Sequence, residues 1–122
     1  PALAFNDGAL LTCIGNDFGF EHTFSKPIAM FANEGDVLFA ISSSGQSENI
    51  LEGAREGLRK GCHVITLSAF QPDNPLRSRG ALNFFVPTMK YGYAEILHLC
   101  LCHCILEGFM ELGRFGGGLE RE

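Results

Sequence analysis

Positive charge is scarce in this sequence. Nine Lys and Arg stand against 14 Asp and Glu, a formal net charge of −5, with no basic run anywhere. A nucleic-acid partner needs a basic stripe to meet its phosphates, so that class has no electrostatic support. Long apolar runs are missing too: no uninterrupted stretch reaches the roughly 18 residues of a membrane span, and no signal-peptide pattern stands at the start. The five cysteines form no C-x-x-C pair and are odd in number, which suits a reducing compartment better than a disulfide framework. The expectation is a cytoplasmic chain with neither a nucleic-acid nor a membrane partner. Three sharp templates are also absent: the G-x-x-x-x-G-K-[ST] of a P-loop, the G-x-G-x-x-G of a dinucleotide site and the G-x-S-x-G of a nucleophile elbow. Their absence argues against a nucleotidase, a dehydrogenase and an α/β-hydrolase, in that order.

What is present fits one soluble domain: 122 residues, 46% hydrophobic and 19% charged. The stretch that organises it is Gly35–Gly61. An apolar run, Val37–Ile41, is short enough to favour a buried strand. A serine-rich turn, Ser42–Ser47, follows, and then an amphipathic helix that ends at Gly61. Ser47 is the expected N-cap, with Glu48 in the first turn. Ile50, Leu51, Ala54 and Leu58 recur at helical spacing, with Glu52, Arg55, Glu56 and Arg59 facing water.

That junction is suited to an anion. A helix N-terminus presents unpaired N–H groups and about half a unit of positive charge. Ser42, Ser43, Ser44 and Ser47 add hydroxyl donors, and Gly45 lets the backbone approach a ligand. Any phosphate here would be held by neutral donors. The alternative is a polar turn whose serines merely cap the helix, although four serines and a glycine within six residues exceed what one cap requires.

Before this unit, Pro1–Phe5 reads as a strand that looks cut from something longer, and Asn6-Asp7-Gly8 as a turn. Ala9–Ile14 reads as a short helix ended by Gly15, and Gly15–Gly19 as a second turn cluster. Phe20–Phe31 reads as a helix kinked or split at Pro27, with Asp17 as its cap. After the unit, His63–Ser68 is a β-branched strand, Asn74-Pro75 caps a short helix to Arg79, and Ala81–Val86 is another strand. Alternating strands and helices predict an α/β fold, a parallel β-sheet flanked by helices on both faces. Ligands of such sheets sit at the carboxyl ends of the strands, where Ser42–Ser47 lies. Tyr91–Arg114 is ambiguous, because Leu97–Cys104 alternates like a strand; its length without proline favours a helix. The domain is expected over 1–115, with a loose tail over 116–122.

On that last helix Glu95, His98 and His103 interrupt an apolar stretch, and each, if buried, needs a partner. Glu95 and His103 lie about 12 Å apart along a helix axis, so spacing alone does not make a metal site. A hydrogen-bonded core role for each His, and small core roles for Cys100, Cys102 and Cys104, stay open beside metal ligation.

Several segments together resemble the sugar isomerase (SIS) domain, and within it the phosphoheptose isomerases. They are Thr12–Phe20 (TCIGNDFGF), Glu34–Leu38, Ile41–Ser47 (ISSSGQS), Lys60-Gly61, Val64–Leu67, and Tyr91-Gly92-Tyr93 leading to His98 and His103. The resemblance implies a three-layer αβα fold, a homo-oligomer (a tetramer in the family) and aldose–ketose isomerisation of sedoheptulose 7-phosphate through an enediol, for bacterial surface-polysaccharide heptose. It implies that Ser42, Ser43, Ser44 and Ser47 bind the sugar phosphate and that Asp17 is a substrate-binding residue. It further implies that His103 and Glu95 are catalytic and bind Zn2+; many relatives have Gln where Glu95 stands. The family's upstream strand–loop–helix, with its further zinc ligands, has no counterpart in these residues. The alternative function is a non-catalytic SIS-type phosphosugar- or protein-binding module similar to the replication-initiator-associating proteins.

Overall fold

In a computed structural model that describes residues 2–116, the elements follow one another as helix α1 (Gly8–Phe18), a 3₁₀ turn (Phe20–His22), α2 (Ser25–Phe31), strand β1 (Val37–Ser42), α3 (Glu48–Arg59), β2 (His63–Ala69), a second 3₁₀ turn (Pro75–Ser78), β3 (Leu82–Val86) and α4 (Tyr91–Gly116). The strands form one sheet in the order β1-β2-β3, and both pairs are parallel. This is the expected α/β architecture. Residues 117–122 of the anticipated tail lie outside the described residues, whereas Gly116 is the last residue of α4.

Pleating sends alternate side chains to opposite faces. On one face Ala40 and Val64 pack with Leu51, Ala54, Cys62 and Leu76 into a core closed by α3 and the second 3₁₀ turn. On the other face Ala69 and Val86 meet Ala94 of α4, with Phe70 and Leu101 against them. Ala69 and Val86 are register partners and differ from Val64 in parity, so α3 and α4 cover opposite faces.

Helix α3 follows its sequence signals closely. Glu48 lies in its first turn and Arg59 in its last, complementing the helix dipole. Glu52 pairs with Arg55 and Glu56 with Arg59 along its outer side. Its buried side differs from the expected one. Leu58 is nearly half exposed, while Gly53 and Gly57 are buried. A Cβ at Gly57 would run into Leu38 Cδ2, and one at Gly53 would stand 3.2 Å from Phe24 Cβ. Two glycines one turn apart therefore let α3 lie low over β1 and α2.

Helix α4 resolves the ambiguous segment. Its buried residues Ala94 and His98, with half-buried Leu101, recur at helical spacing, and the strand-like alternation of Leu97–Cys104 has no part in the packing. By averaged composition and length, Tyr91–Gly113 is also apolar enough to cross a membrane, which corrects the count of uninterrupted runs: Glu95, His98, His103 and Glu107 are diluted by Leu, Ile, Cys and Phe. Here that helix is docked on β2 and β3.

The amino-terminal third departs most from expectation. Residues 2–7 form no strand, since no neighbouring strand pairs with them among the described residues; Phe5 instead stacks on Phe31 at 6.0 Å. Helix α1 runs through Gly15 to Phe18, so Gly15–Gly19 is not a turn cluster. Asp7 starts it by accepting from Leu10 N at 2.9 Å, and Gly19, at φ 95°, ends it. Asp17 thus lies inside α1 and caps nothing downstream. The following segment is split as expected, but at Thr23–Phe24, because Pro27 falls in the first turn of α2, where its missing N–H costs nothing.

Candidate functional site

The Ser42–Ser47 loop leaves the carboxyl end of β1 and enters α3, the location where parallel sheets bind ligands. Ser42 is 7% exposed and acts as the hub of the loop. Its Oγ donates to Ser47 Oγ at 3.1 Å, accepts from Gly45 N at 3.2 Å, and lies 3.5 Å from Ser44 Oγ. Ser44 Oγ accepts from Gln46 N at 3.1 Å. Ser43 is anchored through its backbone, its carbonyl accepting from Ala69 N at 2.9 Å, and its hydroxyl has no partner among the described residues.

Ser47 holds the N-cap position with φ −64° and ψ 113°, yet its side chain makes no capping bond. The expected cap is thus positional only. Ser47 Oγ is turned to Ser42; of the first-turn N–H groups of α3, Ile50 N donates to Asn49 Oδ1 at 2.9 Å and to Ser47 O at 3.0 Å, while Glu48 N and Asn49 N have no acceptor among the described residues. An anion seated there would supply the missing acceptors. Beside this end opens a cleft of about 520 Å³ lined by Phe20, Glu21, Ser47, Glu48 and Asn49. Glu21 and Glu48 make its rim acidic, so a ligand's charge has to be met by the serine loop and the helix end.

Other assigned residues are placed less favourably. Asp17 Oδ1 accepts from Asn16 Nδ2 at 2.8 Å, and its Oδ2 accepts a weak thiol bond from Cys13 at 3.7 Å. Asp17 is not among the residues that line the cleft. Glu95 and His103 are both exposed on α4, and neither makes a hydrogen bond to the serine loop among the described residues. His98 takes the core role that was open for either histidine. It is 4% exposed, and its Nε2 donates to Ser68 O at 3.2 Å, which fixes its tautomer.

No group of three His, Cys, Asp or Glu side chains is placed to hold a metal among the described residues. Catalytic zinc takes three protein ligands and keeps an open position. Glu95 and His103 are two donors at most, so these residues alone do not fit a zinc site.

Two residues with no functional role expected from the sequence belong to this region. Phe70, directly after β2, has φ 64°, a strained conformation for a bulky side chain. Its N–H donates to Thr88 O at 3.0 Å, and its ring meets Tyr91 edge-on at 4.7 Å, which holds it in place. Asn74 is 3% exposed and packs directly behind Gly45. The Asn74-Pro75 pair announces a helix cap, but nothing local announces the second contact.

A family model described as the SIS domain matches residues 1–69, which include the serine loop and stop before α4. A phosphoheptose isomerase of Enterobacter sp. (strain 638) is 33% identical over 110 residues, 88% of this chain and 56% of that relative. One from Hamiltonella defensa is 36% identical over 109 residues, 87% of this chain and 52% of that relative. Among solved structures, a phosphoheptose isomerase from Francisella tularensis superposes with a TM-score of 0.81 at 31% identity, covering 88% of this chain and 58% of that one. The chain therefore spans about half the length of the curated relatives it matches.

Proposed function

The chain belongs to the SIS domain family, and from that premise we propose that it carries the phosphosugar-binding part of a phosphoheptose isomerase, acting on sedoheptulose 7-phosphate. The observation that carries this reading is the pair of N–H groups at Glu48 and Asn49 that have no acceptor among the described residues, with the Ser42, Ser43, Ser44 and Ser47 hydroxyls gathered beside them. Hydrogen bonds to a charged group are worth roughly 1.5–3 kcal/mol each, so a few neutral donors suffice to hold a phosphate.

The aldose–ketose shift moves a proton between adjacent carbons through an enediol, and a histidine is suited to carry it near neutral pH. In this reading His103 is the proton carrier, Glu95 a second acid–base group, and Asp17 a contact to the sugar hydroxyls. Zn2+ on His103 and Glu95 requires further donors from outside the described residues. Self-association completes the picture: α4 exposes Ile96, Leu97, Leu99, Leu106, Phe109 and Leu112, a surface that a further copy would cover. The cytoplasm is the compartment consistent with five free cysteines.

The test has two arms. Titration with inorganic phosphate should show saturable binding that weakens at least tenfold when Ser44 and Ser47 are both changed to Ala. Incubation with sedoheptulose 7-phosphate should give the aldose product, with kcat depressed far more than KM in His103→Ala. Phosphate binding without turnover would replace the isomerase by the non-catalytic SIS-type module. Absence of phosphate binding would remove both.

A further inference from the structure

We propose that Asn74 is a positioning residue for the serine loop, acting on the bound phosphate through Gly45; the proposal rests on the phosphate reading above. The side chain of Asn74 is buried and its polar atoms are fully engaged. Its Nδ2 group donates to Gln71 O at 2.8 Å, Ser68 Oγ at 3.1 Å and Ala69 O at 3.2 Å. Its Oδ1 accepts from Arg77 N at 3.1 Å, capping the 3₁₀ turn. This one amide therefore ties the carboxyl end of β2 to the segment that follows it.

The same amide forms the floor beneath the loop. Gly45 has φ 65°, and a Cβ there would overlap Asn74 Oδ1 and stand 2.8 Å from Asn74 Cβ. The backbone of the same segment grips the loop as well: Leu76 N donates to Gly45 O at 3.1 Å, and Ala69 N donates to Ser43 O at 2.9 Å. Gly45 N is committed to Ser42 O at 3.0 Å and to Ser42 Oγ. The loop is thus clamped from behind at Ser43 and Gly45, which leaves the Ser43, Ser44 and Ser47 hydroxyls on its free side. A preformed loop binds an anion more tightly than one that must be ordered first, because the ordering cost is already met.

A purely structural cap predicts something different from a loop brace, and Asn74→Ser separates the two. Serine keeps an acceptor for Arg77 N but loses the carboxamide behind Gly45. The experiment measures inorganic phosphate affinity and urea midpoint for the parent, Asn74→Ser, the Ser44→Ala/Ser47→Ala double variant and the triple variant. We expect Asn74→Ser to lower the urea midpoint, since it leaves Gln71 O, Ser68 Oγ and Ala69 O without the amide donor, and to weaken phosphate binding by the folded protein at least fivefold. In the background lacking the two serines it should add less than twofold, since it acts through them. Should Asn74→Ser fail to fold, Ser68→Ala, which removes one partner of the same amide without touching the loop, is read by the same comparison of backgrounds. Parent-like phosphate affinity in the variant, or an equal loss in both backgrounds, overturns the proposal alone. Failure of the parent to bind phosphate overturns the loop reading, and this proposal with it.

Discussion

The two faces of the sheet differ in how completely this chain covers them. The face toward α3 is closed: Val64, Ala54 and Leu76 are fully buried there, and even the helix glycines are packed. The face toward α4 is covered only near the carboxyl ends of β2 and β3. Over β1 the side chains of Val37, Phe39 and Ile41 remain exposed, and Leu82 on β3 joins them in the row Phe39–Ile65–Leu82. Parallel sheets are normally buried on both faces. The closed face owes its completeness to local connection, because α3 is the crossover between β1 and β2 and folds back onto the strands it joins. The open face has no such crossover, and α4 reaches it only from the far end of β3.

The largest expected effect is on the closed side. Leu76→Ala removes a fully buried side chain from a core with no room to relax and should cost about 2–5 kcal/mol, read as a fall in the urea midpoint. The matching change on the open side is Phe109→Glu, at a residue 76% exposed on α4. It should alter the stability of the isolated chain by less than ~0.5 kcal/mol. Sedimentation should nevertheless report a smaller species than the parent, because a buried glutamate at a contact between copies is strongly unfavourable. A parent that is already monomeric, or an unchanged assembly, would remove self-association from the reading.

A third measurement maps the faces directly. Cys62 lies in the closed core, and burial, followed by the nearby Asp36 charge, pushes its thiol pKa up. Cys13, Cys100 and Cys104 are exposed. Iodoacetamide at pH 8 should label those three well ahead of Cys62, since the thiolate is the reactive form. Protection of Cys100 and Cys104 but not Cys13 in the parent, relieved in Phe109→Glu, would place the covered surface on α4. Labelling of Cys62 at the rate of Cys13 would contradict the closed core.

Legibility in the sequence follows the same division. The Gly35–Ser68 stretch was readable almost to the residue, because a short apolar run, a polar turn and a capped amphipathic helix each carry a local signal. Helix α4 was readable by length but not by period, since most of its apolar residues have no partner in this chain. The missed strand at Pro1–Phe5 has the same origin: extended apolar residues become a strand only where a neighbour supplies hydrogen bonds. Gly15 misled for a different reason. A Cβ at Gly15 would stand 3.8 Å from Thr23 Cγ2, an ordinary contact, so neither the packing nor the backbone there requires glycine and the helix runs through it without a break. Of the site, the serine loop was legible, while the Asn74 floor was not, because its partner Gly45 is distant in sequence. For Glu95 and His103, the reading came through resemblance alone, because an exposed Glu and His on a helix carry no local signal of a role.

The smallest effect tests the outer surface of the closed side. The Glu56 carboxyl accepts from Arg59 Nε at 2.8 Å, and that hydrogen bond lowers its pKa against the opposing effect of burial, with lesser help from the charges of Arg59, Lys60 and Lys26. A carboxyl whose folded pKa is depressed contributes stability above its ordinary value of 4.5 and loses it as pH falls through the lower folded value. The pair is solvent-screened and lies on one helix, so a few tenths of a kcal/mol is the expected size. Glu56→Gln should therefore lower the urea midpoint slightly near pH 7, and the difference from the parent should close in acid, once the pH has fallen through the lowered folded pKa. A difference that persists in acid would mean that the glutamine disturbs the packing of α3 on the sheet, and that the ion pair contributes nothing there.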